Sequence, residues 1–309
     1  MKNLCFAVVL LCATAGYAIP IASSARSMVP SEIQQLIGVD YRALKDSPTA
    51  QVLKQQVLPD NLKELETALK GIGIDADHDL DQLNFASFRT EKKGIQTIGV
   101  AQGSFSAKVV LKKMKLKKIA PTKYGTTSVY PMDNGLVMTF LDDNTLAFGP
   151  EASLHSALDT RDGKRPSLDS NSVMTDQMAA VDSAPLWSIL DQQGTQAMMF
   201  SVMGDAAKAA DFDSLKKRIL ASRYTMNFAT GVNFDLSVQT ADSMTAATLS
   251  TLVKGVMLYK KMNASPIEKI ALDAATVDSD GSNLQIHFKS DDQKFQSLMS
   301  SPLFAAISH

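Results

Sequence analysis

Within residues 223–262 the spacing of apolar side chains changes period once, and that change restricts what the chain can fold into. Tyr224, Met226 and Phe228 alternate with Arg223, Thr225, Asn227 and Ala229. Beyond Gly231, Val232, Phe234, Leu236 and Val238 alternate with Asn233, Asp235, Ser237 and Gln239. Period two marks strands with one dry and one wet face. Gly231 permits a tight reversal, so the two runs predict an antiparallel hairpin. Leu249, Leu252, Val253, Val256 and Met257 then recur at helical spacing, on one stripe. Asp242 or Ser243 can cap the first turn, and Lys260 and Lys261 suit the C-terminal end. A strand–strand–helix unit of this kind buries itself by laying the helix across one face of the sheet.

The first half of the chain repeats that order. A strand is expected at 33–41, followed by helices after Ser47-Pro48 and at 62–69. Strands at 83–88 and 95–101 precede a helix at 104–116 with Ala107, Val110, Leu111 and Met114 inward. Strands at 126–130, 136–141 and 145–148 and a helix at 151–158 complete it. In the second half a strand is expected at 196–203 and a helix at 206–220. The central stretch follows, then strands at 267–277 and 284–288 and a closing helix at 294–299. Asn84-Phe85-Ala86 and Asn227-Phe228-Ala229 coincide in the two halves. The expected fold is α+β: two related domains, each an antiparallel sheet with helices packed on one face. The expected divisions are a signal peptide at 1–25, a first domain at 26–160, a polar linker and junction at 161–194 holding the single tryptophan, Trp187, and a second domain at 195–309.

The first residues point to export. Lys2 precedes an apolar run over 4–15, and Gly16-Tyr17-Ala18 and Ser23-Ser24-Ala25 both offer cleavage sites, after Ala18 or Ala25. Both cysteines, Cys5 and Cys12, fall inside that leader, so the processed chain would have no thiol chemistry. No later stretch approaches the ~18 consecutive apolar residues of a membrane span.

The sequence also offers candidate sites. Asp75, Asp77, Asp79 and Asp81 stand at alternate positions and could together take a hard cation such as calcium. The EF-hand pattern that begins at Asp75 then fails, because Leu80 stands where Gly is required and Ala86 where the bidentate Glu should be; a solvated acidic loop is the alternative. Gly71-Ile72-Gly73-Ile74-Asp75-Ala76 fits a loose dinucleotide pattern but ends a helix rather than opening one. Six lysines, Lys108, Lys112, Lys113, Lys115, Lys117 and Lys118, crowd the helix at 104–116 and its end, with Lys123 beyond. They form a candidate docking patch for an anionic envelope component or a protein partner. Aromatics are not interleaved with them and the formal net charge is −1, which argues against nucleic acid. His78, His155, His287 and His309 show no zinc-site spacing, and no G-x-S-x-G elbow occurs. No cofactor is expected.

Gly38-Val39-Asp40, Leu44 and Ser47-Pro48, with the paired strands that follow, resemble uncharacterised exported bacterial proteins of duplicated α+β architecture. That resemblance covers about the first third of each half and implies no reaction. The expected function is a non-catalytic binding or structural protein of the bacterial cell envelope, periplasmic or extracellular. The alternatives are an exported hydrolase with an unrecognised site and a calcium-stabilised domain.

Overall fold

A computed structural model describes residues 21–57, 60–90, 94–204 and 212–301. Most of the expected leader, Leu58-Pro59, and His309 lie outside the described residues. Strand β1 (Ile33–Asp40) pairs antiparallel with strand β8 (Leu186–Leu190), and every other strand is added outward from that pair. On one side follow β2 (Leu80–Thr90), β3 (Gly94–Gly103), β7 (Thr145–Pro150), β6 (Leu136–Phe140), β5 (Thr127–Pro131) and β4 (Thr122–Tyr124). On the other follow β9 (Ile219–Asn227), β10 (Val232–Thr240), β12 (Asn283–Ser290) and β11 (Ala275–Asp280). The result is one twelve-stranded sheet in which neighbouring strands pair antiparallel.

The fold is therefore α+β, and its halves share one design. Read outward from the centre, β1-β2-β3-β7-β6 is matched by β8-β9-β10-β12-β11, with the same chain order in each. The two inner strands end alike. The backbone N–H of Asp40 donates to the carbonyl of Pro185 at 2.7 Å, and that of Asp191 to the carbonyl of Gln34 at 3.0 Å. Each aspartate then caps the helix that follows: Asp40 accepts from Ala43 N ahead of α2 (Tyr41–Lys45), and Asp191 from Gly194 N, 2.8 Å in both cases. The segment expected as a linker thus includes β8 at the centre of the sheet.

Helices crowd one face along the whole sheet. In the first half, α2, α3 (Pro48–Val57), α4 (Asp60–Ile72) and the short α5 (Ala76–Asp79) follow one another before β2, and α6 (Ala107–Leu116) comes after β3. Tyr41, Leu65, Leu69 and Met114 from this group meet Leu83, Ala101, Leu146 and Phe148 of the sheet. The opposite face of this half is also apolar. Leu36, Phe88, Ile98, Val100, Trp187 and Ile189 are covered there by α1 (Ser23–Arg26), α7 (Glu151–Arg161) and α8 (Ser172–Ala179).

The helix at 192–203 corrects the sequence expectation. Residues 196–203 form the end of α9 (Gln192–Met203), not a strand. The run is apolar enough to imitate a strand, but Met199 and Met203, four apart, are the buried pair. Residues 267–277 are likewise divided. Pro266–Ala274 is helix α12, and only Ala275 onward is strand. The cue was present: the backbone N–H of Ser265 donates to the Glu268 carboxylate at 2.8 Å, and Pro266 opens the helix. Of the helix expected at 206–220, residues 206–211 lie outside the described set. The remainder is α10 (Phe212–Lys216) followed by the start of β9 at Ile219. The central hairpin and helix stand as expected, with α11 spanning Ser243–Asn263 and capped by Asp242. It packs with α9 against Leu236, Val238 and Leu284. The closing helix is α13 (Asp292–Met299), which sets Phe295 and Leu298 beside Phe228 and Val232.

Trp187 fixes the centre. It lies opposite Gly38 in the β1–β8 register and is 1% exposed. A Cβ added to Gly38 would fall 2.2 Å from Trp187 Cε2. Glycine is required there because the indole occupies the space a side chain would need. Gly38→Ala should cost about 1–3 kcal/mol by overpacking, measured by denaturant unfolding followed through Trp187 fluorescence. Unchanged stability would show that the ring yields freely.

Candidate functional site

Helix α6 carries the lysine patch. Ala107, Val110 and Met114 form its buried stripe, which turns the lysines outward. The helix ends on a left-handed residue, Lys118, at φ 59°. Ile119 N then reaches back to the carbonyl of Met114 at 3.0 Å, and Ile119 packs against the core below. Glycine adopts this conformation without penalty, whereas a side chain costs about 1–2 kcal/mol.

The six lysines divide into two sets. Lys113 Nζ donates to the carbonyl of Gly73 at 3.0 Å, and Lys117 Nζ to that of Gly71 at 2.6 Å. They neutralise the C-terminal end of α4, where unpaired carbonyls and the helix dipole favour a cation. These two lysines are scaffold. Lys108, Lys112, Lys115 and Lys118 are exposed, and among the described residues no carboxylate lies within ion-pair distance of their ammonium groups. No acidic residue occurs from Ser104 to Met132. Val109 and Leu116, both more than half exposed, stand among the four.

The four aspartates are held separately. Asp75 accepts from the backbone N–H of Asp77 at 3.1 Å and lies 3.3 Å from His78 Nδ1. The hydrogen bond with His78 is the largest cause of a lowered Asp75 pKa. Asp79 accepts from the backbone N–H of Asp75 at 2.8 Å, Asp77 lies 3.4 Å from the Tyr41 hydroxyl, and Asp81 pairs with Arg42. Among the described residues no group of three or more His, Cys, Asp or Glu side chains is placed to hold a metal ion.

Among the described residues, His78, His155 and His287 each lie near a carboxylate. His287 Nδ1 lies 2.5 Å from Asp235 Oδ1 on the polar side of β10 and β12, and both side chains are about half exposed. His155 lies 3.8 Å from Glu151 and stacks on Tyr124, with ring centroids 3.8 Å apart. The His287–Asp235 pair is therefore open to water, whereas the His155 ring is partly covered by Tyr124.

Sequence periodicity gave no sign of two further features. An apolar cavity of about 130 Å³ lies where the halves meet, walled by Val39, Leu44, Leu53, Phe85, Leu186 and Phe228. Its walls come from four distant segments, so no local motif marks it. On the opposite face, Asn84 Oδ1 and Thr145 Oγ1 are buried with no hydrogen-bond partner among the described residues. Asn84 reads in sequence as an ordinary wet-face strand residue; its burial follows from the covering layer.

The arrangement defines an α+β protein with one antiparallel sheet, whose two halves match in strand order, and a basic surface helix. No family model matches the chain, and no curated protein matches it. Among solved structures, crystal form I of TP0453 is similar over 91% of this chain and 98% of that one, with a TM-score of 0.48 and 11% identity. Crystal form III of TP0453 covers 89% and 97%, with a TM-score of 0.48 and 10% identity. Crystal form IV covers 92% and 97%, at 0.46 and 8%. No function is carried across from so distant a likeness.

Two outcomes test this geometry. Lys118→Gly should raise stability by about 1 kcal/mol, because the left-handed turn then carries no side-chain penalty. A drop in melting temperature would show that Lys118 makes a stabilising contact. Tyr41 is the second case. Burial, then the hydrogen bond to Glu66 at 2.6 Å, raises its pKa above the ordinary tyrosine value. The folded state holds this proton more tightly, so its contribution is intact below about pH 10 and lost as pH rises further. Unfolding from pH 9 to 11 should therefore show a shallower alkaline loss in Tyr41→Phe than in the parent; equal slopes would exclude Tyr41 as its source.

Proposed function

We propose that this is a non-catalytic binding protein exported to the bacterial cell envelope, which docks an anionic component of that envelope through α6. The observation that supports it is the division of the lysines. Two are consumed in holding α4, while Lys108, Lys112, Lys115 and Lys118 remain exposed, with no carboxylate in ion-pair distance among the described residues. Four like charges between Lys108 and Lys118 repel one another, and a polyanion relieves that repulsion. Lys118 adds a second sign. It occupies a backbone conformation better suited to glycine, so its charge is present at a cost in stability. The leader at the N-terminus supports the location. No described helix is long and apolar enough to cross a membrane, which fits docking from the side.

The test is co-sedimentation with vesicles of anionic and of zwitterionic lipid, with a soluble polyanion as competitor. Binding should be selective for anionic surfaces and weaken with salt. At about 1 kcal/mol per lysine near such a surface, Glu at 108, 112, 115 and 118 together should weaken binding at least about a hundredfold. Lys118→Gly should weaken it while raising stability. Lys113→Met with Lys117→Met should lower the melting temperature instead. Equal binding by the parent and the fourfold variant would sink the proposal.

A further inference from the structure

Residues 21–31 belong to the core. Ile21, Ala25, Met28 and Val29 are 6%, 1%, 0% and 2% exposed. They share one cluster with Leu36, Phe88, Leu158 and Trp187 at the centre of the sheet. Polar contacts tie the same segment down. Ser24 Oγ donates to Asp142 Oδ2 at 3.0 Å, and Arg26 places Nε and Nη2 on Asp169 Oδ1 at 3.0 and 2.6 Å. Leu168 N donates to the carbonyl of Val29 at 2.7 Å, Ser31 N to that of Pro166 at 3.0 Å, and Asn171 Nδ2 to that of Ser31 at 3.0 Å. The segment runs without interruption into β1.

The sequence offers two cleavage sites, and the structure separates them. A cut after Ala25 would discard Ile21, Ala22, Ser24 and Ala25. It would open the core beside Met28 and remove the bond to Asp142. A cut after Ala18 keeps every one of these groups. Ala18 itself lies outside the described residues, so the inference rests on residue 21 onward. We infer that the leader is removed by hydrolysis of the Ala18–Ile19 peptide bond, with water completing the Ala18 carboxylate and leaving Ile19 as the new amino terminus. Ser23-Ser24-Ala25 is retained as α1. The protease acts on the unfolded leader, so burial does not shield the second site. The fold instead makes its use destructive. This inference rests on the export proposed above.

The experiment is expression of the full chain in a bacterium, with intact mass and N-terminal sequencing of protein from cytoplasm, periplasm and medium. Exported protein should begin at Ile19. A start at Arg26, or any cut within 21–29, overturns the inference and leaves export standing. A chain beginning at Met1 and confined to the cytoplasm overturns both. As an independent measure, chains starting at Ile19 and at Arg26 are made without a leader and melted while Trp187 fluorescence is recorded. The Arg26 chain should melt several degrees lower or fail to fold; equal midpoints would remove the physical basis of the inference.

Discussion

The pairing of β1 with β8 is the constraint on which the rest of the structure depends. Each half, taken alone, would present its inner strand as a free edge of unpaired N–H and C=O groups. Joining the two edges satisfies both sets at once, and the join is specific. Trp187 lies over Gly38, and Asp191 unites three tasks in one residue. It caps α9, its backbone N–H donates to Gln34, and its carboxylate receives Arg89 Nη1 and Nη2 at 2.5 and 3.0 Å. Arg89 comes from the first half, so this bidentate pair crosses the join. An antiparallel pairing of equivalent strands also relates the two halves by an approximate two-fold, which explains why the outward strand orders match.

The halves then diverge in what they cover. Both faces of the first half are apolar and roofed, whereas the corresponding second-half face carries Thr225, Asp235, Ser237, Gln285 and His287. The helices that follow β3 and β10 occupy equivalent places in the chain order. In α11, Lys254 pairs with Asp278 and Lys261 with Asp273. In α6 and the turn that ends it, Lys108, Lys112, Lys115 and Lys118 have no such partner among the described residues. One scaffold position thus holds a largely compensated helix in one copy and an uncompensated one in the other.

Much of this architecture was legible because period-two and helical spacing survive wherever a face is half buried. The 223–262 unit, β2, β3 and the amphipathic stripe of α6 all show it. What failed has a physical reason in each place. Residues 196–203 are apolar almost throughout, so periodicity cannot separate a buried helix from a strand, and Asp191, the cap that decides it, lies five residues upstream. In 267–277 the apolar run spans two elements, and Ser265, Pro266 and Glu268 outweigh it locally. β8 is short and follows a polar stretch, so its central position depends on tertiary pairing alone. The aspartate series looked like one cluster in sequence. In space a short helix and a strand divide it, and each carboxylate finds a separate partner.

The lysine patch shows where composition stops short. Six neighbouring lysines in sequence form one block of charge, yet their roles depend on what lies beneath each one. Lys113 and Lys117 reach the carbonyls that end α4, so their charge belongs to the fold. No described carboxylate lies within ion-pair distance of the other four, and one of them sits on a strained turn. Charges needed only for solubility would gain by sharing the surface with acids, as α11 does. An uncompensated local set on a chain whose net charge is −1, with Val109 and Leu116 exposed among the lysines, is better matched to a surface that supplies the missing negative charge. The approximate two-fold does not repeat this feature, so the docking surface would be single, and contact through α6 would fix one orientation of the whole sheet.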